Sequence, residues 1–319
     1  MKTKSQRFKQ LLTTPRTEFL LEAHNGVSAR IAEEAGFSAI WASGLAISTS
    51  LGVRDSNEAS WTQVLEVLEF ISDASSIPLL VDGDTGYGNF NNVRRLVQKL
   101  EQRQVAAVCI EDKLFPKTNS FIGERQPLAS IEEFVGKIKA AKDTQGDPYF
   151  CVVARTEALI SGHDMREALE RAEAYWTAGA DAILIHSKRR TAHQILEFMR
   201  EWGNTCPVVI VPTTYHDTPV EVFEDAGIRL IIWANHMMRS SVAAMQKTAR
   251  QIFEFRSAHG SDMVPVSELL RLQNAAELEE ASRRYLPRVE AEMIFALNEI
   301  ECSTAGGERA LAHKRGVSG

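Results

Sequence analysis

VAAVCIEDKLFPKTNS, residues 105–120, decides how the rest of the chain is read. Its first half is apolar without alternation, as in a strand buried on both faces of a parallel sheet. It stops abruptly on Glu111 and Asp112, then passes Pro116 into Lys117, Thr118, Asn119 and Ser120. A buried strand that ends in two carboxylates and feeds a loop with an ammonium and an amide has chemistry placed at its end. The same plan recurs on both sides of it. EFLLEA (18–23), SAIWAS (38–43), IPLLVDGD (77–84), AAVCIED (106–112), YFCVVART (149–156), DAILIHS (181–187), CPVVIVP (206–212) and RLIIWAN (229–235) are all apolar nearly throughout. Amphipathic stretches such as NNVRRLVQKLEQR, SIEEFVGKIKAAK and MREALERAEAYWTAGA separate them. GNFNNVRR supplies an Asn cap ahead of its helix, and Gly179 stops another before the next strand. These alternations predict a single (β/α)8 barrel, an α/β fold. The alternative is an open doubly wound sheet. No G-x-G-x-x-G follows the first strand, which removes the main reason to prefer it.

The chain has 319 residues, 44% hydrophobic and 24% charged, with a net charge of -6. An acidic chain without a basic stripe is a poor ligand for nucleic acid, because phosphate contacts need clustered Lys and Arg. No apolar run approaches the roughly 18 residues that span a bilayer. The basic N-terminus, MKTKSQRFKQLLTTPRTEF, lacks the apolar centre of a signal peptide, so the reading is cytoplasmic. Cys109, Cys151, Cys206 and Cys302 form no CxxC pair and read as reduced thiols. Beyond the barrel lie a helix over roughly 240–257 and two helical segments over roughly 266–284 and 287–300, more helix than a barrel requires. The expected layout is a barrel core over 1–239, C-terminal helices over 240–300 that pack on a partner subunit, and a disordered tail over 301–319.

In such a barrel the residues just past each strand share one rim, where active sites form. Here they are Ser43, Gly44 and Leu45; Asp82 and Asp84; Glu111 and Asp112; Arg155 and Glu157; His186 and Ser187; Thr213; and Asn235 with His236. Asp82, Asp84 and Glu111 would repel one another unless a cation or protons compensate. An all-oxygen set suits Mg²⁺ or Mn²⁺; the competing reading is of helix caps and solvated loop acids. Arg155 and His186 offer donors suited to phosphoryl oxygens, although His186 alone could be a satisfied core imidazole. Lys117 and Asn119 add donors from the loop, and Lys113 reads equally as a surface charge. ASGL (42–45) is either a turn or a cradle of N–H groups for an enolate or carboxylate oxygen. The long connection RDSNEASW (54–61), with Asp55, covers the rim or is plain surface.

DGDTGYGN, EDKLFPKTNS, VVARTEA, ADAILIHS, IWASGLAISTSLGVRDSNEASW and VVIVPTTY together resemble the phosphoenolpyruvate mutase group of the isocitrate lyase/phosphoenolpyruvate mutase superfamily. The likeness spans roughly residues 15–288, and EDK-x5-N is its most specific element. The resemblance implies interconversion of phosphoenolpyruvate and 3-phosphonopyruvate, which makes a carbon–phosphorus bond. It also implies a barrel whose last helix is swapped between subunits, in a homodimer or homotetramer. By the same resemblance, Asp82 binds Mg²⁺ most directly, Asp84 and Glu111 hold it through waters, and Asp55 lies nearby. Arg155, His186 and Asn119 hold the migrating phosphoryl group. Trp41, Ser43, Gly44 and Leu45 hold the pyruvyl part. Lys117 and Asn119 ride on a gating loop, anchored when closed by Leu114 and Phe115. Asp55 either accepts the phosphoryl group or orients a metaphosphate-like species. DGDTG stands where the group more often has DADTG, which leaves the donors intact and predicts a looser loop. Phosphonopyruvate hydrolase is the nearest rival activity; Asn119 favours the mutase. Carbon–carbon lyases of the isocitrate lyase type carry a Cys in the matching loop, and this chain does not. A non-catalytic scaffold barrel would not need the polar rim.

Overall fold

The computed structural model describes residues 2–120, 122, 127–258, 260 and 262–287. The eight parallel strands are β1 (Glu18–Ala23), β2 (Ala39–Ala42), β3 (Leu79–Asp82), β4 (Ala107–Glu111), β5 (Cys151–Thr156), β6 (Ala182–Ile185), β7 (Val208–Ile210) and β8 (Leu230–Trp233). They hydrogen-bond in sequence order, and β8 returns to β1 to close the barrel. Each falls within its expected apolar run. Around them run α1 (Lys4–Thr13), α2 (Gly26–Glu34), α3 (Gly44–Ser50), α4 (Trp61–Ala74), α5 (Phe90–Glu101), α6 (Ile131–Thr144), α7 (Met165–Thr177), α8 (His193–Trp202), α9 (Val220–Asp225) and α10 (His236–Phe255). Asn89 caps α5 in a reciprocal box with Asn92, and Gly179 follows α7 at φ 104°.

Period-two alternation sorts every strand into two faces. Leu80, Cys109, Val153, Leu184, Val209 and Ile232 belong to the cluster that fills the barrel. Val81, Val108, Val152, Ile183 and Ile231 point outward into the larger core under the helices. Extending the inward parity past each strand lands on Ser43, Asp82, Glu111, Arg155, His186 and Thr213. The chemistry is therefore the topmost inward layer of the barrel.

The opposite end is closed by α1, a helix the sequence reading did not anticipate. Thr3 and Gln6 form its capping box, and Phe8 and Leu12 are buried in the cluster inside the barrel. Lys9 Nζ lies 2.5 Å from Asp181 Oδ1, while Lys142 Nζ and the Val152 N–H reach Asp181 Oδ2 at 2.8 Å each. The T-x-x-Q box and the apolar spacing of Phe8, Leu11 and Leu12 were the available signals.

The DGDTG turn is close-packed, not loose. A Cβ on Gly83 would stand 2.6 Å from Val108 Cγ2 and 2.9 Å from the Cys109 carbonyl oxygen, and the Gly83 N–H donates to that carbonyl at 2.7 Å. Gly83→Ala is expected to destabilise the protein by about 1–3 kcal/mol, the usual range for overpacking. Denaturant midpoints of the two proteins check this; equal midpoints would refute the packing argument.

Cys109, Cys151 and Cys206 are buried free thiols, and Cys302 lies outside the described residues. No described helix is long and apolar enough to cross a membrane. A first compact unit ends at His259, and a second begins at Gly260. The boundary expected at 239 falls inside α10. In the second unit the segment expected as one helix is two, α11 (Val266–Leu272) and α12 (Ala275–Tyr285). Asn274 between them is left-handed, φ 59°, a conformation Asn tolerates better than most residues. The helix expected over 287–300 and the tail expected over 301–319 lie outside the described residues, apart from Pro287.

Candidate active site

One pocket at the C-terminal rim is lined by Trp41, Ser43, Leu45 and Asp82 from the neighbouring strands β2 and β3 and their ends, and by Arg155 and His186 from β5 and the end of β6, with Asp55, Lys117 and Asn119 also lining it. Gly44, Asp84 and Glu111 do not line it, but each touches or neighbours a residue that does.

The acidic side starts at β3. Asp82 Oδ2 accepts the Gly44 N–H at 3.2 Å, and a Cβ on Gly44 would stand 3.1 Å from that oxygen. ASGL is thus neither a bare turn nor a free cradle. Ser43 caps α3 through the Ala46 N–H at 3.2 Å, and the Gly44 amide is committed to Asp82. Asp84, left-handed at φ 49°, takes the Asn57 amide at 2.8 Å and the Lys117 ammonium at 2.5 Å. Burial, with Asp82 and Asp55 adding to it, pushes the Asp84 carboxyl up to about 7 against the pull of Lys117. Burial likewise raises Glu111. Among the described residues Glu111 Oε1 accepts no hydrogen bond, and Lys113 Nζ is 3.8 Å away; Oε2 lies 3.3 Å from Arg155 Nε.

No three His, Cys, Asp or Glu among the described residues are gathered closely enough to cage a metal. The Lys117 ammonium instead sits between Asp84 and Asp55, 2.9 Å from Asp55 Oδ1. A hydrated Mg²⁺ needs no such cage, since it keeps several waters and takes one or two carboxylates. The buried Glu111 Oε1, which takes no hydrogen bond among the described residues, and the all-oxygen donor set of Asp82, Asp84 and Glu111 fit a hard divalent cation.

Asp55 is well ordered by its partners. Oδ1 meets Lys117, and Oδ2 accepts the Asn119 amide at 2.5 Å. Burial would raise its pKa, but Lys117 and Asn119 outweigh burial and leave it below the usual carboxylate range. Burial alone would lower Lys117; Asp84, Asp82 and Asp55 hold it well above its ordinary value. The long connection after β2 is therefore part of the site, not plain surface.

On the basic side, Glu111 and Arg155 are register partners across β4 and β5. Arg155 Nε donates to Glu157 Oε1 at 2.7 Å, and Nη2 lies 2.9 Å from His186 Nδ1. His186 Nδ1 is also 2.8 Å from Glu157 Oε1, so His186 is no isolated core imidazole. Burial, then the Arg155 charge, lowers its pKa. Lys113 is 1% exposed and lies 3.1 Å from Glu157 Oε2, which rules out a surface charge. The opening carboxylate pair divides by parity. Glu111 faces the site, whereas Asp112 points outward to the Tyr175 hydroxyl (2.7 Å), Arg171 Nη1 (3.2 Å) and the Glu157 N–H (2.8 Å). Leu114 and Phe115 are 41% and 49% exposed, and polar contacts from Lys117 and Asn119 hold the loop.

Three rim residues were undervalued from sequence: Asn57, Lys113 and Glu157. Glu157 was placed on the rim beside Arg155 but given no role; its position two past Arg155, on the same parity, was the signal for one. The rim residue of β1, Glu22, does not line the pocket. Its Oε2 accepts the Met238 N–H of α10 at 2.9 Å and its Oε1 lies 2.6 Å from His24 Nδ1.

Fold and rim together define a (β/α)8-barrel enzyme whose site sets carboxylates against a guanidinium and an imidazole. Residues 8–253 match the family model described as phosphoenolpyruvate phosphomutase, and the chain belongs to that family. It is 57% identical over 286 residues to a phosphoenolpyruvate phosphomutase of Tetrahymena pyriformis, covering 89% of this chain and 95% of the relative. A solved phosphoenolpyruvate phosphomutase from Streptomyces platensis subsp. rosaceus superposes with a TM-score of 0.87 at 43% identity, over 89% of this chain and 99% of that one. A phosphonopyruvate hydrolase solved in complex with oxalate and Mg²⁺ gives 0.85 at 38% identity, over 90% of this chain and 100% of that one.

Proposed function

We propose that this enzyme interconverts phosphoenolpyruvate and 3-phosphonopyruvate by intramolecular phosphoryl transfer. The observation that carries the reading is the Asn119 amide, held on Asp55 in the pocket that Arg155 and His186 also line. Towards phosphoenolpyruvate, the C–P bond breaks and phosphorus bonds to the enolate oxygen of the same molecule; no proton, water or co-reactant is consumed.

Asp82, Asp84 and Glu111 are the residues to hold Mg²⁺, or Mn²⁺ in its place, which when bound stabilises charge on the enolate and phosphoryl oxygens. Trp41 supports the pyruvyl plane, with Ser43, Gly44 and Leu45 at its edge. Arg155, His186 and Asn119 grip the phosphoryl oxygens from two sides, holding phosphorus between its two acceptor positions. The Arg155 guanidinium keeps a fixed direction because Glu157 and Glu111 engage its Nε. Lys117 and Asn119 close the site and exclude water. Both Asp55 oxygens are engaged by loop donors, which supports an orienting role over that of a phosphoryl acceptor.

The test is to supply phosphonopyruvate with Mg²⁺. Phosphoenolpyruvate that forms with Mg²⁺ and not after chelation supports the mutase. Pyruvate and phosphate would support the hydrolase.

We also read the enzyme as a homo-oligomer that exchanges α10 between subunits. Of its twenty residues only Met238 is buried, while Met245, Ile252, Phe253 and Phe255 are exposed. Sedimentation is expected to give a multiple of the 35.5 kDa chain mass; a monomer at micromolar concentration would contradict this.

A further inference from the structure

Ser120 follows Asn119 directly, and its hydroxyl is drawn into a buried knot of charge. It donates to Glu157 Oε2 at 2.7 Å, and it accepts from Lys113 Nζ at 2.7 Å and from Arg155 Nη2 at 3.1 Å. A hydroxyl has one proton to give and two lone pairs to share, so this one is saturated by protein and has nothing left for a substrate. Ser120 lines the pocket, yet its polar capacity is spent on its neighbours.

The acceptor is wholly buried. Glu157 Oε1 faces Arg155 Nε and His186 Nδ1, while Oε2 faces Ser120 and Lys113. One carboxylate thus ties the two donors on the barrel floor to the segment that carries Asn119 and Lys117. The apolar side chains of that segment, Leu114 and Phe115, are 41% and 49% exposed, whereas Ser120 is buried. The segment is also tied by the Lys117 N–H on Asn57 Oδ1 at 2.7 Å, the Thr118 carbonyl on Lys113 at 3.0 Å, the Lys117 ammonium on Asp84 and Asp55, and the Asn119 amide on Asp55, all of which Ser120→Ala leaves in place.

We infer that Ser120 is a positioning residue: docked on Glu157, it holds Asn119 and Lys117 over the phosphoryl group and so decides whether phosphorus goes to the enolate oxygen or to water. This rests on the mutase reading above. When the hydroxyl tether is lost, water reaches the site. A water oxygen then bonds to phosphorus as the C–P bond breaks, and a water proton ends on the methylene carbon, giving pyruvate and phosphate.

The experiment compares wild type and Ser120→Ala on phosphonopyruvate with Mg²⁺. It follows both product sets, and separately the hydrogen exchange of the 117–119 amides in the substrate-free protein. Glu157 keeps Arg155, His186 and Lys113 in the variant, so the thermal midpoint is expected to stay close to that of wild type. The pyruvate-to-phosphoenolpyruvate ratio is expected to rise about tenfold, the scale of one lost hydrogen bond to a charged acceptor, and exchange at the 117–119 amides to quicken. A general loss of stability would lower the rate without moving the ratio. An unchanged ratio with unchanged exchange overturns the inference. If wild type itself yields only pyruvate and phosphate, the mutase reading fails, and the exchange result alone then decides whether Ser120 anchors the segment.

Discussion

Asp55→Ala is expected to lower kcat by about a thousandfold, the upper end of what one preorganised polar group contributes, while the protein stays folded. Asp55 is the meeting point of the loop donors. Its Oδ2 fixes the Asn119 amide and its Oδ1 shares the Lys117 ammonium with Asp84. Without it, Asn119 loses its aim and Lys117 is left to Asp84 alone, tilting the charge balance where the divalent ion is to sit. The Asp55 carboxylate is engaged by the Lys117 ammonium and the Asn119 amide, so the cost is expected to fall mainly on turnover. Steady-state kcat read beside a thermal melt checks this; a rate near wild type would remove Asp55 from the chemistry. Asn119→Ala should follow the same course, since it removes the other half of the pair.

Arg155→Lys keeps the charge and should still cost about a hundredfold or more in kcat/KM. The guanidinium serves several partners in fixed directions: Glu157 and Glu111 from Nε, Ser120 and His186 from Nη2. A lysine ammonium is one point at the end of a flexible stem and cannot hold that set. It would leave buried acceptors on Glu111 or Glu157 short of donors, which should lower stability by about 1–3 kcal/mol. Arg155→Lys therefore differs from Asp55→Ala in moving both kcat/KM and the denaturant midpoint. A lysine variant within a few-fold of wild type in kcat/KM would show that charge alone, without the fork, serves the phosphoryl group.

Much of the barrel could be read directly, because parallel strands buried on both faces leave unbroken apolar runs. The polar residues that ended those runs, Asp82, Glu111, Arg155 and His186, converge because each continues the inward parity of its strand. Gly83 went the other way: its tight fit depends on Val108 and Cys109 of the neighbouring strand, which no local pattern reveals. Lys113 is ambiguous in sequence, since a lysine after a strand is usually solvated; only the return of the chain at Glu157 makes it a buried ion partner. The Asp112 network with Tyr175 and Arg171 joins residues about 60 apart and was likewise invisible.

Phosphorus is transferred within one molecule, at a site that keeps water out. The most direct measurement is phosphorus NMR and mass analysis of the product made from phosphonopyruvate and Mg²⁺ in water enriched in heavy oxygen. The expected product is phosphoenolpyruvate whose phosphoryl group carries no solvent oxygen. Inorganic phosphate bearing the solvent label, with pyruvate in place of phosphoenolpyruvate, would contradict it.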